Sequence, residues 1–496
     1  MDPIFQNISE DKRANLLTFQ LSPTHVAYAN TLRRLCMTYV ETVGFRADIR
    51  DNGATTDVEV LANSSPMTNE MLAHRVGLLP IHIKNPLEWD SEKYIFTLNK
   101  VNDTSDAMRI YASDFAVAEK NGDKVTNIPS DKFFVPNAIT RQTCLLAILK
   151  PLVPGAKAEE ISIRAKATIG IGRENARFIP TSQCAYSYTR DTNKENIERA
   201  FYDWAFRSKK ISEEVLKNDA AKRDVLMREF KTLEINRCYL KDETGEPYSF
   251  DFTIESVGVL DCAYIVYRAC EKGVELCKKY SGDNFGSSVV VQRTDGQLIG
   301  WDFIFQGEDH TLGHLIQAWI DKNHVGKDAI TFAGYDIPHP LRDEMVIRIG
   351  VKDGKEASAR DVMKKAMVAC QGMFEMWRDQ WARLTGVGEA ANYRTVSTGN
   401  KNVTSRLVVN KDNMNENMMP SNSNSNTSSS SNSNSNNASS NSSSSNNANE
   451  YNSNIRLSNY NLNSPYESSS SNSSPEVVAP PPTKRAIRRP QPILQK

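Results

Sequence analysis

The chain contains 496 residues, among them 60 basic and 60 acidic side chains. This length exceeds what one ordinary domain needs, so we expect two or three domains with their own cores. The balanced charge argues against binding of nucleic acid through a bulk positive field. No stretch approaches the ~18 apolar residues of a membrane helix, so we expect a soluble intracellular protein that does not contact a membrane.

The eight cysteines include no C-x-x-C pair, the spacing that zinc sites commonly use. Cys262, Cys270 and Cys277 instead recur at near-heptad spacing within an apolar helical pattern. This pattern indicates small core residues in a reducing compartment. We therefore expect no metal and no cofactor.

The first predicted elements are a strand over 16–21 and a helix over about 23–40. Ser22 followed by Pro23 offers an N-cap and a preset first helical turn. Taken alone, the polar residues of this helix are explained by a solvated face. The polar side chains that lie together off its apolar face are Asn30, Arg33 and Arg34.

A second, short helix is predicted to end at Gly77 in a left-handed turn, after which Leu78, Leu79 and Ile81 enter a core around Pro80. His74 and Arg75 are then presented at the helix C-terminus, where the helix dipole favours cations. A purely structural role is an alternative for His74. We expect this segment both to anchor the surrounding domain and to contact a partner.

Short predicted strands and turns fill residues 47–192 and indicate an inserted β-rich domain. A charged helical spacer is predicted over 193–230. Its Phe201, Trp204 and Phe206 are expected to pack within the protein rather than to bind a ligand.

Residues 1–46 and 231–280 are predicted to form one discontinuous domain that ends in a helix over about 261–280. The stretch 281–297 contains SGDNFGSS and TDGQ and is predicted to be a linker.

Residues 298–385 repeat the pattern of the discontinuous domain. Aromatic residues alternate over 301–305 as in a half-buried strand, and an apolar helical stripe follows. A final helix over about 358–384 starts with a capping-box-like pair, Ser358 and Asp361. Its apolar stripe is too long to be covered by its own sheet alone.

Two sheets that each carry a long apolar helix bury more surface against each other than alone. We therefore predict an α+β fold in which two dimerisation units, each a sheet with long helices, form an intramolecular pseudo-dimer. The predicted interface consists of Leu32, Val266, Cys270, Leu312, Leu315, Ile316, Trp319, Cys370, Met373, Trp377 and Trp381.

The composition changes sharply over 386–496, and the segment from Ser421 to Asn449 is nearly all Asn and Ser. Such a segment buries too little apolar surface to offset the entropy of ordering it, so we predict a disordered tail. Its basic end, PPPTKRAIRRPQP, is interpreted as solvated chain, with a targeting signal or a weak nucleic-acid contact as alternatives.

His310 and His314, preceded by Asp309, form an H-x-x-x-H pattern whose imidazoles could share a metal ion. The glutamate of H-E-x-x-H is missing, so no general base is supplied locally. No phosphate loop, nucleophile elbow or kinase signature occurs either. We predict no catalytic residue and no metal; stoichiometric zinc that is lost in His314→Ala would overturn this.

Four segments together resemble a known family. ANTLRR (29–34) and NEMLAHRVGLLPI (69–81) look like the signature of the alpha-like third-largest subunit of cellular RNA polymerases. EDHTLGHLI (308–316) and AGYDIPHPL (333–341) are similar to its small partner, the eleventh subunit of eukaryotic polymerase II. A covalent fusion of the two resembles the arrangement in large nucleocytoplasmic DNA viruses.

The resemblance implies a non-catalytic subunit that pairs its two halves and recruits the largest and second-largest polymerase subunits for transcription. It also implies contacts with small zinc-binding subunits of the tenth and twelfth type, and contact with DNA and RNA only through the complex. The resemblance also changes the interpretation of the polar face of the helix over about 23–40, which is then expected to contact a partner subunit rather than solvent. The implied large-subunit interface consists of Asn30, Arg33, Arg34, Glu70, His74 and Arg75.

Some relatives carry a zinc loop or an iron–sulfur cluster in the inserted domain, but between Lys84 and Leu149 this chain has only Cys144. We therefore expect neither. A free-standing interaction protein that regulates transcription with the same fold stays open as an alternative. A viral origin would imply the host cytoplasm, in a virus factory, and packaging in the virion, with the nucleus as alternative.

Overall fold

The structure is a computed structural model. It describes residues 3–48, 57–122, 124–282, 285, 289–295, 297–327 and 329–388. The chain divides into two units, Met1–Ser405 and Arg406–Lys496, and all described residues belong to the first. The predicted tail therefore lies outside the described residues except for its first three positions.

Antiparallel strands and helices of varied length alternate along the described chain. The strands are β1 (Phe5–Asp11), β2 (Leu16–Leu21), β3 (Glu41–Gly44), β4 (Val58–Asn63), β5 (Tyr94–Asn102), β6 (Met108–Tyr111), β7 (Ala116–Asn121), β8 (Lys124–Ile128), β9 (Leu145–Leu149), β10 (Glu159–Ala165), β11 (Thr168–Ile171), β12 (Thr181–Tyr188), β13 (Phe250–Ser256), β14 (Val289–Arg293), β15 (Gly300–Gln306), β16 (Ile330–Asp336) and β17 (Glu344–Val351). The helices are α1 (Val26–Thr38), α2 (Asn69–Gly77), α3 (Lys194–Lys209), α4 (Glu213–Asn218), α5 (Ala220–Leu233), α6 (Cys262–Lys278), α7 (His310–His324) and α8 (Glu356–Thr385). The predicted α+β class is confirmed. Among the described residues, no helix combines the length and apolarity that crossing a bilayer requires.

Two four-stranded antiparallel sheets have the same strand order. The first is β1-β2-β13-β12 and the second is β14-β15-β17-β16. In each sheet the second strand leads into a helix, α1 or α7, and the third strand leads into a longer one, α6 or α8. The repeat seen in the sequence is therefore a repeat of topology.

We call residues 3–282 the first half and residues 289–388 the second half. Helix α6 of the first half packs along α8 of the second half, and α1 contacts both α6 and α7. The apolar faces of both sheets and of these four helices form one continuous core. Because alternate strand residues point to that core, strands such as β13 bury every second side chain.

The segment predicted as an insertion has a core of its own. Its main sheet has the order β4-β10-β5-β7-β8, and two further two-stranded sheets pair β3 with β11 and β6 with β9. The aromatic rings of Phe45 and Phe96 meet edge to face at 5.1 Å in this second core. However, β12 pairs with β13 and places Cys184 in the shared core. The chain thus returns to the first sheet well before residue 192, the predicted end of the insertion.

Helices α3 to α5 form a small third cluster around Phe201 and Phe230, whose rings are 5.7 Å apart. Trp204 is half-buried and packs on the Phe230 ring at 5.6 Å. Phe206 points outwards and is 63% exposed. The prediction that this side chain packs is wrong, because it lies on the outer face of α3.

Helix α1 starts later than the sequence predicts. The N–H of Ser22 donates to the carbonyl of Ile4, and the N–H of Thr24 donates to the carbonyl of Tyr248. These sheet-like bonds hold the chain extended, so the helix begins only after His25, whose ring Nδ1 accepts from the N–H of Ala27 at 3.2 Å. Ser22 is therefore not the N-cap.

The start of α8 and the predicted linker also differ from expectation. Helix α8 begins at Glu356, and the Ser358 hydroxyl donates to the Asp353 carboxylate at 2.7 Å instead of capping the helix. Within the predicted linker, 281–297, Val289–Arg293 forms the edge strand β14 of the second sheet. The run of valines there favours a strand over a linker; much of the remaining linker lies outside the described residues.

Candidate functional site

The contact between the two halves is centred on aromatic rings. Trp381 of α8 lies 4.9 Å from the Phe5 ring and 5.1 Å from the Phe19 ring, both in edge-to-face geometry. Its indole Nε1 donates a 2.8 Å hydrogen bond to the carbonyl oxygen of Ala263 in α6. Trp377 lies 6.1 Å from Phe5 and is also fully buried. Burial of such rings supplies a large part of the free energy of an interface.

A glycine lets α6 and α8 approach closely. A Cβ atom added at Gly273 would lie 2.5 Å from the ring of Phe374, a separation that real atoms do not show. The Phe374 ring therefore occupies the space that a side chain at position 273 would need. The close fit of the two helices depends on this pair.

All residues predicted at the pseudo-dimer interface lie in or against the shared core. Trp319 and Met373 are half-buried at its edge, and the others are fully buried. The fully buried ones are Leu32, Val266, Cys270, Leu312, Leu315, Ile316, Cys370, Trp377 and Trp381.

Polar contacts join α1 to the start of α7. Arg34 Nε donates to the Thr311 hydroxyl at 2.9 Å, and its Nη2 lies 3.5 Å from the Asp309 carboxylate. Asp309 is the N-cap of α7 and accepts from the N–H of Thr311 at 2.7 Å. The Nε and Nη2 groups of Arg34 thus both contact the second half of the same chain.

Arg173, in the turn after β11, reaches the same carboxylate. Its Nε lies 3.8 Å from Asp309, and its Nη2 lies 3.5 Å from Asp343. Nη1 donates to the Tyr39 hydroxyl at 3.3 Å. Burial, with Asp309 nearby, raises the pKa of Tyr39 to about 12, so the phenol stays protonated. The Asp309 carboxylate, which caps α7, therefore contacts a side chain from α1 and another from the turn after β11.

A buried carboxylate joins the end of α6 to the second half. Glu308 Oε1 accepts from Lys279 Nζ at 2.7 Å and from the Tyr280 hydroxyl at 2.6 Å. Its side chain is 3% exposed. Because the Glu308 carboxylate is buried, removing either donor would leave its charge less well compensated, so this contact fixes the geometry of the junction.

A second buried charge cluster lies on α6. Arg268 makes a bidentate contact with Glu41, with Nη2 and Nε 2.9 and 3.0 Å from the two oxygens, and it also bonds Glu271 at 2.9 Å. Burial alone would raise the pKa of the Glu41 carboxyl, but Arg268 and Lys272 hold it below its usual value. The cluster fixes α6 to β3. Strand β3 is the point at which the chain enters the second core.

The outer side of α1 presents Arg33. Its Nε donates to the Asn30 side-chain oxygen at 3.0 Å, which fixes the orientation of the guanidinium. Arg33 borders an open groove of about 440 Å³ along β12, lined by Cys184, Tyr186 and Tyr188 among others. Of the three polar residues predicted on α1, Asn30 and Arg33 act together, whereas Arg34 turns to α7.

Helix α2 differs in detail from its prediction. Gly77 is its last helical residue and does not adopt a left-handed conformation, so that prediction is wrong. A Cβ there would lie 2.9 Å from Ala47 Cβ and 3.2 Å from the Phe45 carbonyl oxygen, so the glycine serves close packing. Leu79 and Ile81 are buried in the second core beside the half-buried Pro80, whereas Leu78 is 57% exposed and does not enter that core.

The polar residues of α2 have different roles. Arg75 donates to the carbonyls of Leu145 and Leu146, at 2.7 Å each, and thereby holds α2 against β9. Glu70 and His74 are exposed on the outer surface of the helix. The structure therefore does not gather the six predicted docking residues into one cluster with free donors.

His310 and His314 lie beside the ring of Tyr335, at 5.8 and 5.9 Å. Burial lowers the pKa of His314. Asp309 is already engaged by Arg34 and by the helix it caps. Among the described residues, no group of three His, Cys, Asp or Glu side chains is placed to hold a metal ion.

The cysteines are free thiols, and all are buried except Cys144. Burial raises the pKa of Cys277 to about 12 and that of Cys262 to about 11. Such thiols carry little thiolate at neutral pH and pack as small apolar side chains.

Sequence reasoning missed the polar residues that join distant segments, such as Arg173, Arg268 and Glu308. One signal was present for Arg268, because a charge inside the apolar pattern of a helix needs buried partners. The partners themselves could not be identified, since Glu41 is 227 positions away.

Comparison with known proteins places this contact in context. Residues 301–380 match the family described as the RNA polymerase Rpb3/Rpb11 dimerisation domain. The matched range runs from β15 through most of α8. The chain is similar to the alpha-like subunits of RNA polymerases.

Three relatives illustrate the similarity. DNA-directed RNA polymerase subunit Rpo3 of Methanothermobacter thermautotrophicus is 28% identical over 187 residues, which cover 36% of this chain and 60% of the relative. DNA-directed RNA polymerase II subunit RPB3 of Schizosaccharomyces pombe is 31% identical over 200 residues, with 37% and 58% covered. Rpo3 of Methanobrevibacter smithii is 25% identical over 306 residues, with 55% and 95% covered. The chain thus spans about 60% of the length of the first two relatives and nearly all of the third.

Proposed function

We propose that this chain is a non-catalytic assembly-platform subunit of a DNA-directed RNA polymerase. Its two halves pair within one polypeptide and together recruit the largest and second-largest subunits for transcription. The observation that carries the proposal is the single core shared by two sheet-and-helix units of the same strand order. The second of these units contains the match to the dimerisation-domain family.

The platform function follows from the nature of the contact. Its centre consists of fully buried aromatic and aliphatic side chains, as in obligate subunit interfaces. Joining both partners in one chain replaces a bimolecular encounter with an intramolecular one, so pairing does not depend on the concentrations of two separate proteins. In this proposal the second unit corresponds to the small eleventh-type partner, fused to the alpha-like unit.

The proposed docking surface for the large subunits uses the outer sides of α1 and α2. Arg33, oriented by Asn30, is suited to grip a carboxylate or a backbone carbonyl of a partner. Glu70 and His74 contribute from the exposed surface of α2. Arg34 and Arg75 support this surface from within the chain, since their donors hold α7 and β9.

The wider assignment rests on the same resemblance. Small zinc-binding subunits of the tenth and twelfth type are further proposed partners, and DNA and RNA are contacted only through the complex. A viral polymerase, assembled in the host cytoplasm and packaged in the virion, is the proposed setting, with the nucleus as the alternative.

Co-purification tests the proposal. A tagged full-length chain, expressed in its native setting and analysed by mass spectrometry, should recover two large polymerase subunits in stoichiometric amounts. Recovery that is substoichiometric and lost on washing would contradict the platform and favour a free-standing regulator.

The docking surface is tested by Arg33→Glu, which should reduce recovery of the second-largest subunit by at least about tenfold because the guanidinium is replaced by a repelling charge. Arg13→Glu, an exposed site in the turn between β1 and β2, is the matched control and should have no effect. Equal recovery in both variants would remove Arg33 from the interface.

A further inference from the structure

The outward side of α8 carries an ordered stripe of exposed residues that the shared core does not use. The residues follow one another at spacings of three and four, close to the helical repeat, so they form a line nearly parallel to the helix axis. We call this line the α8 stripe; it consists of Asp361, Lys365, Val368, Gly372, Met376, Asp379 and Arg383.

The middle of the stripe is apolar and lacks a side chain at its centre. Val368 is 51% exposed and Met376 is 45% exposed. A glycine inside a helix costs about 1 kcal/mol relative to alanine. At Gly273 the packing of Phe374 explains why the helix contains a glycine despite this cost. A Cβ at Gly372, by contrast, would meet nothing within 4 Å. Packing within the described chain therefore does not account for Gly372.

The stripe is self-complementary about Gly372. When positions are counted outwards in both directions, apolar residues mirror each other and charged residues mirror residues of opposite sign. The mirrored pairs, four, seven and eleven positions from Gly372, are Val368 with Met376, Lys365 with Asp379, and Asp361 with Arg383.

This symmetry is what a two-fold contact between identical helices requires. In an antiparallel pair centred on one residue, each position meets its mirror position in the partner, and every contact occurs twice. Without a side chain at Gly372, the two axes can approach closely. We propose that the α8 stripe binds the α8 stripe of a second copy of this chain, antiparallel, with the two-fold axis at Gly372.

The charged residues of the stripe can exchange partners at low cost. Lys365 pairs within the helix with Asp361 at 2.7 Å, and Arg378 pairs with Asp379 at 2.7 Å, but these side chains other than Arg378 remain more than half exposed. Exposed pairs of this kind contribute only a few tenths of a kcal/mol. Replacing them with the mirrored pairs between two copies therefore loses little stability within each copy.

The expected affinity is modest. The stripe from Asp361 to Arg383 is about 33 Å long at 1.5 Å per residue. One helix face buries less than the roughly 800 Å² per partner of a standard interface, so we expect a dissociation constant of about 1–100 µM. The contact uses no residue of the proposed large-subunit surface, and it does not depend on the polymerase proposal.

Sedimentation velocity of the purified full-length chain across this concentration range tests the proposal. The unchanged chain should shift from monomer to dimer, and added salt should weaken the shift. Lys365→Asp should weaken the dimer by about tenfold, because the introduced carboxylate would face the mirrored Asp379 twice. The double variant Lys365→Asp with Asp379→Lys should restore it, because the mirrored charges are again opposite.

Gly372→Leu provides a second, independent variant. It should fold at least as stably as the unchanged chain, since nothing surrounds its Cβ and leucine is a better helix former, yet it should stay monomeric because the axes are forced apart. Circular dichroism confirms folding. A chain that is monomeric throughout, an association that Lys365→Asp or Gly372→Leu leaves unchanged, or a double variant that is not restored would each overturn the proposal.

Discussion

Trp381 and Ala263 are joined by a hydrogen bond between the two halves, from the indole Nε1 to the backbone carbonyl oxygen at 2.8 Å. One helical turn away, the indole N–H of Trp377 is buried and has no hydrogen-bond partner in the described part of the chain. Two equally buried tryptophans on one helix therefore differ in whether the polar group is satisfied.

This difference predicts the effect of replacing each indole by phenylalanine. Both variants lose ring volume, but Trp381→Phe also loses a hydrogen bond, whereas Trp377→Phe removes an unpaired buried donor. We expect Trp381→Phe to lower the free energy of unfolding by about 1–3 kcal/mol more than Trp377→Phe, measured by urea denaturation. Trp377→Ala should cost about 3–5 kcal/mol, because it leaves a large cavity. A cost near zero for Trp377→Ala would show that this part of α8 is not packed against the first half.

Gly273 and Gly372 form a matched pair for testing the packing of α6 on α8. Gly273→Ala should destabilise the chain by about 1–3 kcal/mol, because its Cβ would overlap the Phe374 ring. Gly372→Ala should stabilise it by up to about 1 kcal/mol, since the added methyl meets only solvent in the monomer. Urea denaturation in about 0.5 M NaCl, which screens contacts between copies, measures both. Equal effects of the two substitutions would contradict the close contact at Gly273.

Asp309 combines two roles that substitution can separate. Asp309→Asn keeps an oxygen for capping α7 but loses the ion pairs with Arg34 and Arg173, so we expect a loss of about 1 kcal/mol. Asp309→Ala also loses the cap, and we expect about 1 kcal/mol more. The free energy of unfolding measures both losses. Identical values for the two variants would mean that the cap contributes nothing.

Glu41 makes the stability of the chain sensitive to acid. Its folded-state pKa lies below the usual value of 4.5, so the unfolded chain binds a proton more readily. The stabilisation is complete above about pH 5 and is lost as the pH falls through the lower folded-state pKa. Glu41→Gln should therefore be less stable than the unchanged chain at pH 7, and the difference should shrink towards about pH 3. Urea denaturation midpoints of both chains, measured between pH 7 and about pH 3, test this prediction. A stability difference that is independent of pH would exclude the Arg268 contact as its cause.

Local patterns predicted the elements that carry the pairing. The three- and four-residue spacing of apolar side chains located α1, α6, α7 and α8, because a helix can bury only one face. Alternation of aromatic residues located β15 for the equivalent reason in strands. Both copies follow the same order, so the repeat and the shared core could be predicted before any contact was known.

The same reasoning failed wherever the outcome depended on a distant neighbour. Gly77 was expected to turn the chain, but its role is set by Phe45 and Ala47, which pack against it. Ser22 has the chemistry of a helix cap, yet the bonds of Ser22 and Thr24 to other segments delay the helix. Local preferences of about 1 kcal/mol are outweighed by such contacts.

The amino-acid sequence alone determined that two sheet-and-helix units exist and that their long helices need a common partner, because uncovered apolar stripes of that length are unfavourable in water. Only the tertiary structure decided which polar groups join them: Arg34 with Asp309, Lys279 with Glu308, and Trp381 with Ala263. Hydrophobic burial is nondirectional and can be inferred from pattern, whereas a hydrogen bond or buried ion pair requires specific atoms within about 3 Å, which only the folded chain brings together.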